Sequence, residues 1–175
     1  SFLNGAMTLA TQRYMNYAMG KENICDIKKV FKSSFVLHFF VALVVLFLAE
    51  TLGLWFVQVK LNIPLNRNDA VLLCYQFSIV TTIVNILRVP FHATVIAYEQ
   101  MEFFAFVSII ECVLKLVSVF FLRFITNFDK LILYSLLILF VTLFVNCIYI
   151  VYCRWKYETV DFSYKTSFTT VKELS

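Results

Sequence analysis

Three charged residues, Arg88, Glu111 and Lys115, lie within long apolar stretches of the sequence. A charge at the centre of a membrane-spanning helix costs about 2.5–3.5 kcal/mol on insertion scales, so each residue needs a partner or a function. In the segment VSIIECVLKLVSVFF, Glu111 precedes Lys115 by four residues, which is the favourable order for an ion pair on a helix. In one interpretation, the pair neutralises itself and fastens its helix to its neighbours. In the other, it forms the charged wall of a cavity in which Glu111 binds a proton.

Arg88 has no acidic residue at helical spacing within its own apolar stretch. It therefore needs a carboxylate from another helix or an anionic ligand. A guanidinium stays charged, and its planar fork matches pairs of phosphate oxygens. Pro90 follows two residues later and favours loosening of the local helix. We interpret Arg88 as a residue that binds an anionic ligand.

Arg88 also belongs to a row of polar residues that recur every three or four positions, so they share one helix face. The row consists of Ser78, Thr81, Asn85, Arg88 and His92. The next two apolar stretches carry similar rows: Ser108, Glu111, Lys115 and Ser118, then Ser135, Thr142, Asn146 and Tyr149. These rows predict faces that meet one another or share an aqueous space. For Ser78, Thr81, Ser135, Thr142 and Asn146 we favour hydrogen bonds between helices, each contributing about 1 kcal/mol or less.

Glu50, Glu111 and His92 are the candidates for ion coupling. Glu50 is interpreted either as a carboxylate site in the outer half of its span or as a hydrogen-bonding group between helices. For His92, a structural role is the competing interpretation. The cysteine count of five is odd, and no cysteine has metal-ligand spacing. No catalytic motif and no nucleic-acid patch is recognisable, so we predict no metal, no cofactor and no enzymatic activity.

The composition predicts the environment of these residues. Of 175 residues, 61% are hydrophobic and 15% are charged, and the mean hydropathy is +0.83. Apolar runs of about 18 residues or more are typical of membrane-spanning helices. We predict an all-α, polytopic transmembrane helix bundle over residues 1–152, and a polar cytoplasmic tail or linker over 153–175. Its five helices are placed at residues 2–19, 35–57, 70–97, 103–124 and 131–152.

The loops between these helices predict the orientation. GKENICDIKKVFK is read as a charged loop after the first helix, and Asn68 or Asp69 as the N-cap of the third. Together with the tail, the first loop carries eight lysines and arginines: Lys21, Lys28, Lys29, Lys32, Arg154, Lys156, Lys165 and Lys172. The other side carries four: Lys60, Arg67, Arg123 and Lys130. The side with eight is predicted to be cytoplasmic.

Three segments carry a family resemblance. TQRYMNYAMGKENICDIKKVFKSSFVLHFF resembles the second membrane helix and following loop of bacterial polysaccharide flippases. YQFSIVTTIVNILRVPFHATVIAYEQMEFFAFVSIIECVLKLVSVFFL resembles their fourth and fifth helices, and LILYSLLILFVTLFVNCIYIVYCRWKYE resembles the sixth. These are O-antigen and capsule-type members of the multidrug/oligosaccharidyl-lipid/polysaccharide flippase superfamily. The resemblance covers nearly the whole chain and rests on the order of segments and the character of loops.

The resemblance implies a two-lobed bundle of which this chain forms most of the first lobe. The second lobe of the same protein would then be a partner, together with membrane lipids. The first helix would be absent as well, in keeping with a sequence that opens at Ser1 without methionine. The implied function is to move an undecaprenyl-diphosphate-linked oligosaccharide across the bacterial inner membrane for surface polysaccharide biosynthesis. Its diphosphate needs cations, for which Arg88, Lys115 and Arg13 are the candidates. The alternatives are a drug/cation antiporter that depends on Glu50 and Glu111, and a non-transporting membrane scaffold.

Overall fold

The computed structural model describes residues 2–20, 24–60, 68–124 and 129–157, and these residues form an all-α bundle without strands. The elements in chain order are α1 (Phe2–Met19), α2 (Ile24–Leu48), a π turn (Ala49–Gly53), α3 (Leu54–Val59), α4 (Asn68–Ala97), α5 (Met101–Phe124) and α6 (Lys130–Lys156). Because α2, the π turn and α3 follow one another without a break, they make one long helical segment. The predicted fold class is confirmed.

Within the described residues, four helical segments are long and apolar enough to cross a membrane. They are Cys25–Val57, Asn68–Ala97, Met101–Phe124 and Lys130–Lys156. The helix α1 does not belong to this group, since Asn4, Gln12 and Asn16 interrupt its apolar residues. The chain is therefore a multi-pass membrane protein.

The predicted loop after α1 is wrong for most of its length, because α2 begins at Ile24. The charged residues occupy one side of the first turns of α2, where Lys29 Nζ lies 3.6 Å from Asp26 Oδ1. Ile27 and Phe31, one turn apart, are buried on the other side. Burial of this apolar pair stabilises a helix where the charges suggested a loop.

The bounds of the last helix also differ from the prediction. It extends through Arg154 and Lys156, so the predicted polar tail does not start at residue 153. Cys153 is fully buried, and its thiol lies 3.8 Å from the carbonyl of Phe91 on α4, which keeps this last turn within the bundle. The rest of the predicted tail, residues 158–175, lies outside the described residues, as do Arg67 and Lys21. The N-cap predicted at Asn68 or Asp69 is also displaced, because both residues are already helical.

The helix α4 lies at the centre of the bundle and packs against α1, α2 and α6. Its buried residues concentrate between Val89 and Ala97, and Pro90 is buried there without interrupting the helix. The Phe91 ring packs in edge-to-face arrangements against Phe31 and Phe35 from α2, at centroid distances of 5.5 and 6.1 Å. Such aromatic pairs add about 0.5–1.5 kcal/mol beyond the area they bury. The firmest packing is thus at the end of the bundle where α4 turns into α5.

That turn consists of Tyr98, Glu99 and Gln100. The amide of Gln100 donates to the carbonyl of Val95, and that of Glu99 donates to the carbonyl of Ile96. This is the Schellman pattern, which places one residue in the left-handed region. Here the residue is Glu99, with φ of 56°, where glycine is usual. The tight turn makes α4 and α5 an antiparallel hairpin.

Large apolar side chains remain exposed along α2 and α5. They include Phe39, Phe40, Phe47, Phe106, Phe120, Phe121 and Phe124. Large exposed apolar side chains in this number mark contact with lipid or with another chain. It agrees with the assignment of both helices as membrane spans.

Candidate functional site

Glu111 on α5 is shared by two cations. One carboxylate oxygen accepts a hydrogen bond from Arg88 Nη1 on α4 at 3.0 Å, and the other accepts from Lys115 Nζ at 2.6 Å. The side chains of Arg88 and Glu111 are 20% and 18% exposed, whereas that of Lys115 is 46% exposed. Two cations on one carboxylate leave a net charge of +1 inside two membrane spans. We call these three residues the charge cluster.

The register of the α4–α5 hairpin brings the charge cluster together. Arg88 and Glu111 lie equally far along the chain from the turn at Glu99 and Gln100, so they come opposite each other on antiparallel helices. Lys115 then joins through its spacing of four residues from Glu111. The predicted pair is confirmed as an ion pair. Arg88 has a carboxylate from another helix, which is one of the two partners predicted for it, and the anionic ligand stays a prediction.

The third polar row, on α6, contributes Tyr149. Its ring lies below the Arg88 guanidinium, with 5.7 Å between the guanidinium carbon and the ring centroid. A cation over a tyrosine face gains about 0.5–2 kcal/mol, the larger value in dry surroundings. Tyr149 is 2% exposed, so it fixes the guanidinium from a buried position. Three helices therefore converge on one arginine.

His92 is packed among aromatic rings beside this cluster. Its ring centroid lies 4.9 Å from that of Phe104 on α5 and 5.6 Å from that of Tyr149 on α6. Both contacts are edge-on or tilted, as aromatic pairs prefer. These ring contacts favour a structural role for His92, which lies one turn from Arg88 on the same face of α4, and its role in ion coupling stays a prediction.

A cleft of about 370 Å³ opens between α1 and α4 next to the charge cluster. From α1 it is lined by Asn4, Gly5, Thr8 and Leu9, and from α4 by Asn85, Arg88, Val89, His92 and Ile96. Arg88 thus belongs to both the ion pair and the wall of the cleft. Amide, hydroxyl and guanidinium groups beside apolar side chains suit an amphipathic ligand with a polar or anionic group.

Two of the predicted ligand-binding residues lie away from this cleft. Arg13 is exposed on α1, and Lys115 reaches the cluster from the side of α5. Neither contributes to the wall of the cleft described here. Of the three predicted cations, Arg88 is therefore the one placed to meet a ligand in it.

The predicted hydrogen bonds between helices are wrong for the hydroxyls of the polar rows. Ser78, Thr81, Ser135 and Thr142 each donate to a carbonyl about one turn earlier in their own helix. Hydroxyls in membrane helices satisfy themselves in this way without a neighbour. Asn146 differs, since its side-chain oxygen is buried without a hydrogen-bond partner in the described part of the chain.

Glu50 lies in the π turn that follows α2, whereas the charge cluster lies on α4 and α5. Gln76 Nε2 on α4 donates to its carboxylate at 3.4 Å, which is the hydrogen bond between helices that one of the two interpretations predicts. Its neighbour Tyr75 donates to the carbonyl of Ala49 at 2.8 Å. The structure thus separates two candidate sites, one at Arg88 and one at Glu50.

A polar and aromatic cluster at the α4–α5 turn went unrecognised in the sequence. Lys156 Nζ donates to Gln100 Oε1 at 2.6 Å and to the Tyr152 hydroxyl at 2.9 Å. Phe103 stacks on Tyr152 at a centroid distance of 3.5 Å. Beyond it, burial raises the pKa of Tyr157 well above its usual range. In the sequence, the signal for this cluster was the spacing of four residues between Tyr152 and Lys156. Because these contacts join the end of α6 to the α4–α5 turn, we assign the cluster a structural role and not a ligand-binding one.

No group of three or more histidine, cysteine, aspartate or glutamate side chains able to hold a metal ion occurs within residues 2–20, 24–60, 68–124 and 129–157. Comparison with protein-family models, curated proteins and solved structures finds no match to this chain. The charge cluster, the cleft and the membrane setting are therefore the features of this chain that bear on its function.

Proposed function

We propose that this protein is a flippase that moves a lipid-linked oligosaccharide of the undecaprenyl-diphosphate type across the bacterial inner membrane. The observation that carries the proposal is Arg88, a membrane-embedded arginine that lines a cleft while it shares a carboxylate with Lys115. A diphosphate is the most strongly charged part of such a substrate. A net positive cluster beside an amphipathic cleft offers it a counter-charge where water is scarce.

Glu111 has a specific role in this proposal. It neutralises Arg88 while the cleft holds no anion, which reduces the cost of a charged arginine in the membrane. A phosphate that enters the cleft competes with Glu111 for the guanidinium donors. Lys115 then keeps Glu111 paired, because it bonds the other carboxylate oxygen. The carboxylate therefore holds the arginine in position without blocking it permanently.

The wider context of the proposal comes from the family resemblance. The chain forms most of the first lobe, and a second lobe of the same protein closes the substrate path. The end of the bundle that carries Lys28, Lys29, Arg154 and Lys156 faces the cytoplasm, by the excess of positive charge there. Alternating access driven by an ion gradient is the expected mechanism, with Glu111, Glu50 and His92 as the candidates for coupling.

Two other functions draw support from particular observations. A drug/cation antiporter is favoured by Glu50, a carboxylate on an irregular stretch of a membrane span. A non-transporting scaffold is favoured by Glu111, because both of its oxygens are already paired. The flippase needs Arg88 for ligand binding and the scaffold needs it for helix packing alone, whereas the antiporter depends on Glu50 and Glu111.

A graded substitution of Arg88 tests the proposal. Arg88→Lys keeps the charge but loses the paired donors, so it should retain part of the glycan export, whereas Arg88→Ala should lose most of it. Hydrogen bonds to charged groups contribute about 1.5–3 kcal/mol, so export by the alanine variant should fall about 10- to 100-fold.

The assay is export of the glycan to the cell surface, measured beside the amount of protein in the membrane. Arg123→Ala is the matched control, because Arg123 is an exposed arginine near the end of α5, away from the cluster. Normal export by Arg88→Ala would remove the ligand role. Loss of export together with loss of the protein from the membrane would instead favour the scaffold.

A further inference from the structure

The second apolar segment contains a local change of helix type. Between Ala49 and Gly53 the helix is a π turn, and the amide of Leu54 donates to the carbonyl of Ala49, five residues earlier. Regular α-helix precedes it through Leu48 and follows it from Leu54. A π turn holds one more residue than an α turn, and such turns occur mostly as single interruptions, often at functional sites.

A tyrosine from the neighbouring helix accounts for the π turn. The hydroxyl of Tyr75 on α4 donates to the carbonyl of Ala49 at 2.8 Å, so this carbonyl accepts both Tyr75 and the Leu54 amide. A side chain inserted at a helix carbonyl is a recognised cause of local distortion. Tyr75 has room there because Gly53 lacks a side chain. A Cβ on Gly53 would overlap the Tyr75 hydroxyl.

We propose that this π turn is a switchable joint, held in its π form by Tyr75. When Tyr75 withdraws from Ala49, the five residues are free to wind as α-helix, which satisfies the same backbone groups with i→i−4 bonds. The Glu50 carboxylate leaves Gln76 in the same step, since it sits in the turn. A movement of α4 relative to α2 that withdraws Tyr75 from Ala49 would therefore change the orientation of α3, the helix beyond the joint. The inference does not depend on which solute is transported.

The switch has a calculable geometric effect. A π turn holds one residue more than an α turn. When the same residues rewind as α-helix, everything beyond them rotates by about 100°, the angle of one residue at 3.6 residues per turn. On α3, Val57 is buried while Trp55 and Phe56 are exposed. After the switch, Phe56 takes the angular position that Val57 held, and Val57 turns outward. The outer end of the span would thus present a different surface.

Oxygen accessibility of spin labels tests the rotation. Single cysteines at positions 54–59, in a background with the five native cysteines replaced by alanine, would be labelled in the full chain reconstituted in lipid bilayers. With Tyr75 intact, accessibility should be lowest at position 57. With Tyr75→Phe, which keeps the ring but removes the donor, the minimum should move to position 56. A minimum that stays at position 57 in both backgrounds would overturn the proposal.

The sign of a second substitution separates the joint from ordinary helix stability. Alanine is the better helix former, so Gly53→Ala would raise the melting temperature if nothing occupied the space beside Gly53. With Tyr75 in place, Gly53→Ala should lower it, because the new Cβ meets the hydroxyl. In a Tyr75→Ala background, which removes the ring carbon Cζ at 3.0 Å from that Cβ as well as the hydroxyl, the same change should raise the melting temperature. A rise in the melting temperature in both backgrounds, or a fall in both, would contradict the proposal that Tyr75 holds the joint in its π form.

Discussion

Replacement of Glu111 by glutamine removes the carboxylate that two cations share. Arg88 and Lys115 would then repel each other without a counter-charge, and Arg88 is only 20% exposed. Breaking a buried ion pair from one side costs about 3–5 kcal/mol, and the partial exposure of this pair favours the lower end. We expect Glu111→Gln to lower the free energy of unfolding by about 3 kcal/mol, a large share of a typical total of about 5–15 kcal/mol.

The other members of the cluster should cost less. Arg88→Met leaves Glu111 paired with Lys115, and we expect a loss of about 1.5 kcal/mol, comparable to one charged hydrogen bond. Lys115→Met removes a half-exposed partner and should cost about 1 kcal/mol or less. The combination of Arg88→Met with Glu111→Gln should be more stable than Glu111→Gln alone, because the unpaired arginine is gone.

Equilibrium unfolding of the protein in lipid bicelles measures these differences. Glu102→Gln is the matched control, since Glu102 is an exposed glutamate in the first turn of the same helix. Its loss should cost about 0.5 kcal/mol, the contribution of a charge near a helix N-terminus. Equal costs for Glu102→Gln and Glu111→Gln, or strict additivity of Arg88→Met and Glu111→Gln, would refute the shared carboxylate.

Two further predictions concern α5 and its turn. Exchange of Glu111 and Lys115 would place a lysine against Arg88, so the exchanged protein should reach the membrane in reduced amounts, and a normal membrane blot would argue against the Arg88–Glu111 contact. Glu99→Gly should raise the free energy of unfolding by about 1 kcal/mol, because glycine adopts the left-handed region without a Cβ penalty. A loss of stability in that variant would mean that the Glu99 side chain contributes contacts of its own.

The apolar runs predicted the helices well because length and hydropathy decide what can cross a membrane. The helix α1 covers the residues predicted for it, and α5 begins only two residues earlier than predicted. The prediction is wrong at the start of α2, because a run of charged residues is typical of a loop. Ile27 and Phe31, spaced by one turn and buried, were the overlooked signal of an amphipathic helix.

The candidate site was predictable in part. The Glu111–Lys115 pair follows from spacing on one helix, and the Arg88–Glu111 pair was open to prediction from the hairpin register. Tyr149 under Arg88 was not, because the contact joins α4 to α6, which are not consecutive. The Tyr75 hydroxyl at Ala49 was not either, because α3 and α4 are separated by residues 60–67 and not by the kind of tight turn that fixes the register of α4 and α5. Their geometry depends on how the whole bundle packs, which spacing along one helix does not specify.

The most direct test of the proposed function removes all three charges of the cluster together, so that no charged side chain is left without its counter-charge. The variant combines Arg88→Met, Glu111→Gln and Lys115→Met, and it is compared with the unmodified protein for export of the lipid-linked glycan and for amount in the membrane. A buried charge group replaced by neutral residues of similar size is often neutral or stabilising, so the variant should reach the membrane in near-normal amounts. The flippase account predicts that glycan export falls to background in this stable protein. Export at the normal rate by the neutral variant would contradict it.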